Sequence, residues 1–311
     1  MTAHVAERGE GRGRVVLRLT GTHGASEHAV RAAIRIAKAY YSEIESLFVC
    51  DRQIFDAAGY SFVREIGVAQ PARTRARTRA CHSGEETEGT GAGESIAAID
   101  VADISRHYEL MARSLQRWVC DLARKEDVPV HGRVVRDTPL RALSTACQLS
   151  GPWNVVALAE PFTAVSLTRL DMLFERVTGM TGVVLVGPRA AAPQGPVVAV
   201  IEDVERVTGM LRTAERLARV NGSDIVLAVA EKSRAAQSFL KSEVIHVMAG
   251  RRMASVVELG RAGGGTGMLA EALRQLRPGF VIAEHGGLVV PLAGDLKPLA
   301  AALSCPLLVV R

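Results

Sequence analysis

Short runs of β-branched and other apolar residues alternate along this chain with longer stretches whose apolar positions recur every three or four residues. A short continuous apolar run fits a strand buried on both faces, and the longer period fits a helix with one buried side. Read this way, the first part of the chain predicts strands at 15–19, 44–49, 129–135, 154–159 and 182–186, with helices at 26–41, 99–125, 137–149 and 166–177 between them. The helix at 26–41 presents Ala29, Ala33, Ile36, Ala37 and Tyr40 on one side. The helix at 99–125 presents Ile104, Tyr108, Met111, Leu115, Trp118 and Leu122.

The alternation stops between about 51 and 94, where a basic run carrying Arg73, Arg75, Arg77 and Arg79 precedes an acidic, glycine-rich run. Such a segment cannot bury enough apolar surface to offset the entropy of ordering, so 68–94 is predicted to be a disordered insertion. Its arginines would suit a nucleic-acid backbone. Neighbouring Glu85, Glu86 and Glu88 favour a solvated, self-neutralised loop instead, and no nucleic-acid partner is expected.

A Pro- and Ala-rich linker at 188–196 divides a first domain, 1–187, from a second, 197–311. The same order then resumes, with strands at 197–201, 224–229, 255–259, 280–284 and 307–310 and helices at 204–220, 233–241, 268–276 and 296–303. The repeated element order indicates an internal duplication. The hexapeptide Glu-Arg-Val-Thr-Gly-Met, found at 175–180 and 205–210, does not support it, because one copy ends a fourth helix and the other begins a first. Right-handed crossovers convert this order into an α/β fold of two tandem, open, parallel five-stranded sheets, each flanked by helices in a Rossmann-like manner. The closing strands at 182–186 and 307–310 leave sheet edges through which the two halves are expected to pair as a pseudo-dimer.

Composition leaves this picture intact and narrows the setting. At 311 residues the chain suits two domains of about 150 residues each. Hydrophobic residues are 48% and charged residues 23%, ordinary for a globular protein, while aromatics are only 4%, so Ala, Val and Leu must build the core. The net charge of +5 is mild at this length. Five cysteines, Cys50, Cys81, Cys120, Cys147 and Cys305, are widely spaced, with no Cys-x-x-Cys pair, which argues for reduced thiols rather than a zinc site. With no signal-like N-terminus and no apolar run near the roughly 20 residues of a membrane span, a soluble, cytoplasmic protein is expected.

Three stretches carry a family resemblance. Val15-Val-Leu-Arg-Leu-Thr-Gly-Thr22 with the helix that follows, the Asp137-Thr-Pro139 turn after Val134-Val-Arg, and the ending Ala302-Leu-Ser-Cys-Pro-Leu-Leu-Val-Val310 resemble the universal stress proteins. The resemblance covers both halves apart from the insertion and implies a tandem member. In nucleotide-binding members an Asp ends the first strand, and a Gly-x-x-Gly, nine-residue, Gly-Ser/Thr loop after the fourth strand cradles phosphates. Strand tips and helix N-termini suit anions.

This chain departs from that pattern in both halves. In the first, Thr20 replaces the Asp, Thr22 stands where a Ser is usual after Gly21, and the loop after the fourth strand carries Glu160 and no glycine. In the second, Ile201 or Glu202 takes the Asp position, and Gly286, Gly287 and Gly294 form a reduced loop bordered by Glu284 and Asp295; His285 reads first as a solvent-facing loop histidine, with a ligand contact as the alternative. Thr20, Gly21, Thr22, Gly286, Gly287 and Gly294 are therefore the candidate nucleotide contacts, and the loops read mainly as turns.

A rival site is Gly265-Thr-Gly-Met-Leu-Ala270, which matches Gly-x-Gly-x-x-Ala, with Glu284 as the ribose-binding acid of a dinucleotide fold. No nucleophile elbow, P-loop or metal cluster is recognisable, and His23 and His28 lack triad partners. The expectation is a non-enzymatic regulatory or interaction module in stress response, acting through a protein partner or self-association. It has no obligatory cofactor. The alternative is a sensor of ATP or a dinucleotide.

Overall fold

The computed structural model describes residues 13–20, 25–58, 101–148, 153–159, 170–190, 194–231, 233–248, 254–259, 265–292 and 296–311. The expected insertion at 68–94 lies outside them, as do Gly21, Thr22, His23, Glu160, Gly294 and Asp295.

The elements of the first half are β1 (Arg14–Leu19), α1 (Glu27–Ala39), β2 (Ile44–Asp51), α2 (Arg52–Ala58), α3 (Val101–Arg124), β3 (Val130–Asp137), α4 (Pro139–Gln148), β4 (Asn154–Leu158), α5 (Leu170–Arg176) and β5 (Met180–Leu185). Those of the second are β6 (Val197–Ile201), α6 (Val207–Asn221), β7 (Ile225–Val229), α7 (Arg234–Val247), β8 (Ala254–Glu258), α8 (Gly265–Gln275), β9 (Phe280–Glu284), α9 (Lys297–Ala302) and β10 (Leu307–Val310). A 3-10 turn, Val204–Arg206, leads into α6.

Among the described residues, ten strands form one sheet in the order β3-β2-β1-β4-β5-β10-β9-β6-β7-β8. The second half repeats the first half's strand order in reverse along the sheet. Every pairing is parallel except β5 with β10, which run antiparallel with Val310 opposite Gly182 and Leu307 opposite Leu185. The tandem sheets therefore share one junction and read as a single layer. A Cβ on Gly182 would stand only 3.0 Å from the Val309 carbonyl oxygen, so this position needs the missing side chain.

Parallel strands covered on both faces must be apolar throughout, and β6 is buried at every position. Alternation sends Leu17, Ala157, Ala199 and Leu308 to one face, under α1, α3, α6 and α7. It sends Val16, Val156, Val198 and Val309 to the other, under α4, α5, α8 and α9. Each of these cores runs unbroken through both halves. At the junction, α1 and α6 meet, where the Tyr40 hydroxyl lies 3.1 Å from the Thr213 hydroxyl. The Tyr40 ring packs on Trp153 at 4.8 Å, and the Arg216 guanidinium lies over it.

Some elements differ from the sequence expectation. The helix α2 falls where the sequence shows no periodicity; it is only seven residues long, and Phe55 anchors it in the core. Asp51 starts it by accepting the Gln53 N–H at 3.0 Å. Helix α7 continues past the expected end to place Val244 in the core. Strand β3 is longer than expected, pairing with β2 over Val130–Asp137. The outer edges are β3 and β8, and β3 sets Arg133 and Arg136 along its length, which discourages strand addition. No helix among the described residues is long and apolar enough to cross a membrane.

Candidate functional site

The tips of the second-half strands bring together more of the predicted residues than any other place. Strand β6 ends at Ile201, and Glu202 follows it; β9 next to it ends at Glu284. The chain then turns sharply. Gly286 adopts φ +89°, a left-handed conformation that favours glycine, and its N–H donates to the Val290 carbonyl at 2.8 Å. Val289 and Val290 are buried and pin the turn to the core. His285 is tied in by its N–H, which donates to the Val310 carbonyl at 2.8 Å.

This turn aims two backbone N–H groups at one point, a small nest of the kind that holds anions. Glu202 occupies it. Its carboxylate accepts the Leu288 N–H and, at 3.3 Å, the Val289 N–H. A Cβ on Gly287 would run into the same carboxylate, so the glycine makes room for the chain's own acid. Burial pushes the Glu202 carboxyl above the usual range; the two N–H groups pull it back, while Glu284 and Glu231 push it further up. An incoming phosphate would meet three carboxylates. The nearby Arg206 is engaged, its Nε 3.2 Å from Glu284 and its Nη1 donating to the Arg311 carbonyl at 3.2 Å.

His285 stacks on Phe174 of α5, with ring centroids 4.3 Å apart and planes inclined by 25°. Its Nε2 is buried without a hydrogen-bond partner among the described residues. Burial lowers its pKa from 6.5; Asp171 and Glu175 oppose that, and Arg311 adds to it. The imidazole is therefore neutral near pH 7 and is held as part of the packing between halves.

In the first half, Thr20 follows β1 with its hydroxyl buried and unpartnered among the described residues. Gly21, Thr22 and Gly294 fall outside those residues, so the geometry bears on none of them. The rival glycine pair opens α8, after the edge strand β8, whereas Glu284 ends β9; β7 and β6 stand between. A ribose-binding acid belongs on the strand next to the glycine turn. A Cβ on Gly267 would touch nothing within 4 Å, so no close backbone approach requires a glycine there.

No group of His, Cys, Asp and Glu able to hold a metal occurs among the described residues. Cys147 and Cys305 are buried, and burial pushes both thiols up to about 12, leaving them protonated and unreactive. The residue that sequence reasoning undervalued is Glu202. Its N–H partners, Leu288 and Val289, lie 86 and 87 positions away, so no local spacing reveals its role.

No protein-family model and no curated protein matches the chain. Solved structures do. A universal stress protein from Archaeoglobus fulgidus DSM 4304 superimposes with a TM-score of 0.56 at 11% identity, covering 97% of each chain. A provisionally assigned universal stress protein from Pseudomonas aeruginosa UCBPP-PA14 gives 0.54 at 12%, covering 97% of this chain and 93% of that one. A functionally unknown protein from Pseudomonas aeruginosa PAO1 gives 0.52 at 13%, with 97% and 92% covered. At these identities the likeness is one of fold: the chain has the architecture of universal stress proteins.

Proposed function

We propose that this chain is a non-enzymatic regulatory or interaction module of the universal stress type, acting in a cytoplasmic stress response through a protein partner or self-association. In this reading ATP binding has been lost or reduced to a trace. The observation that carries it is the Glu202 carboxylate held by the Leu288 and Val289 N–H groups, at the place where the family's loop would hold phosphate. An internal carboxylate is always present at high effective concentration, so a phosphate must displace it and also overcome Glu284 and Glu231. Equilibrium titration of purified protein with ATP, ADP and NADH tests the reading. No saturable binding up to millimolar nucleotide is expected; micromolar binding that Gly286→Glu abolishes would overturn it.

A second reading, a nucleotide-responsive sensor, is favoured by one observation. The N–H nest at Leu288 and Val289 is intact and needs only to exchange one anion for another. It predicts nucleotide binding by the unaltered chain, with Glu202→Ala strengthening it.

A further inference from the structure

A second cleft lies away from the strand tips, on the face covered by α1, α3 and α6. Arg31, Arg35 and Lys38 project into it from α1, Lys125 and Glu126 border it just after α3, and Asn221 closes it at the end of α6. Its volume is about 250 Å³. Pockets for organic ligands typically run from roughly 300 to 1,000 Å³, so this one suits a compact guest.

The charges in the cleft do not balance internally. Arg31 is taken by Glu27, at 2.7 Å, and Lys38 by Glu126, also at 2.7 Å. Glu126 is the one carboxylate among the cleft's lining residues. Arg35 and Lys125 have neither an ion pair nor a hydrogen bond among the described residues. Arg35 is half-buried, one helical turn from Arg31, where two like charges repel. Burial and Arg31 both act against its charge, only partly offset by Glu126. A guanidinium cannot escape by losing its proton, so it stays as a partly desolvated cation whose nearby opposing charge, Glu126, is already paired with Lys38.

Nor do the nearby helix ends supply one. The Ala123 carbonyl at the end of α3 accepts from Glu126 and Val128, and the Ala218 carbonyl of α6 accepts from Ser223. Those acceptors are satisfied within their own turns.

We infer that the cleft between α1 and the ends of α3 and α6 binds a compact, multiply charged anion of the phosphate class, with Arg35 and Lys125 as its primary ligands. Arg35 offers the planar fork that engages two phosphate oxygens at once, Lys125 adds a mobile ammonium, and Asn221 adds an amide donor. Because α1 and α3 belong to the first half and α6 to the second, the guest would bridge the halves. This site is separate from the loop filled by Glu202.

Inorganic pyrophosphate is the probe, titrated calorimetrically into the full chain at low ionic strength. Saturable binding at one site per chain is expected. Arg35→Gln, which keeps length and polarity, should weaken it by about tenfold or more, the usual worth of a charge-assisted hydrogen bond. Lys125→Ala, at an exposed position that cannot disturb the fold, should weaken it by roughly two- to fivefold. Inorganic phosphate should bind more weakly than pyrophosphate. Three outcomes would overturn the proposal: no saturable pyrophosphate binding, equal affinity in both variants, or binding of a short DNA duplex without binding of pyrophosphate. The last would assign the cationic face to a nucleic-acid backbone instead.

Discussion

Glu202 and Val289 are 87 positions apart in the chain, yet the carboxylate of one accepts the backbone N–H of the other at 3.3 Å. This contact joins the tips of β6 and β9 and decides how the loop between them can be used. Removing the acceptor strands two partly buried N–H groups. Glu202→Ala should therefore lower stability by about 1–3 kcal/mol, and Glu202→Gln, which keeps one acceptor oxygen, by roughly 1 kcal/mol. Denaturant midpoints at unchanged slope would measure both.

The same carboxyl has a pH signature. Its folded pKa lies above the unfolded one, because burial disfavours the charged form. The folded state then holds the proton more tightly, so the stability it contributes is present at low pH and lost as pH rises through the folded pKa. The stability of the unaltered chain relative to Glu202→Gln should rise as pH is lowered from neutrality towards the carboxylate range. A difference independent of pH would contradict the burial of this group.

His285 gives the opposite slope. Burial sets its folded pKa below the usual 6.5, so its contribution is present above the unfolded value and lost as pH falls through the folded one. Imidazole resonances followed by NMR should titrate below 6.5. His285→Phe, which keeps the stack on Phe174, should flatten the acid limb of the stability curve.

The junction between halves predicts cooperativity. Because both cores and the sheet run through β5 and β10, far- and near-ultraviolet circular dichroism should report one shared unfolding transition. Gly182→Val would press a side chain against the Val309 carbonyl and should cost about 1–3 kcal/mol. Tyr40→Phe, which removes the contact with Thr213, should cost about 0.5–1.5 kcal/mol.

Gly267 separates the two views of α8. A helical glycine with open space around its missing Cβ tolerates alanine, and Gly267→Ala should stabilise the chain by about 0.4–1 kcal/mol. A dinucleotide loop that needed this glycine would instead show NADH binding that the substitution destroys.

The fold was legible where burial imposes a pattern. Runs such as 197–201 and 307–310 are apolar throughout because helices cover both of their faces, and their shortness separates them from the longer, periodic helices. Helix α2 was hidden because a two-turn helix anchored by Phe55 is too short to leave a period to read. At the candidate site the glycines 286 and 287 could be picked out, and the left-handed turn explains the first of them. The reason for the second could not, since it depends on a carboxylate from a different strand, and no local spacing connects Gly287 with Glu202. The cationic cleft escaped for the same reason: its members come from α1, from the turn just after α3 and from the end of α6, three stretches that no local spacing connects.

The antiparallel seam also has a consequence for synthesis. Strand β10, the last of the ten to be made, takes a place in the interior of the sheet beside β5. A ribosome must therefore complete every other strand while the flank of β5 waits with unmet backbone groups. A nascent chain stalled at that stage would offer this bare flank to its neighbours, and a free peptide copying 307–310 is the natural competitor for it.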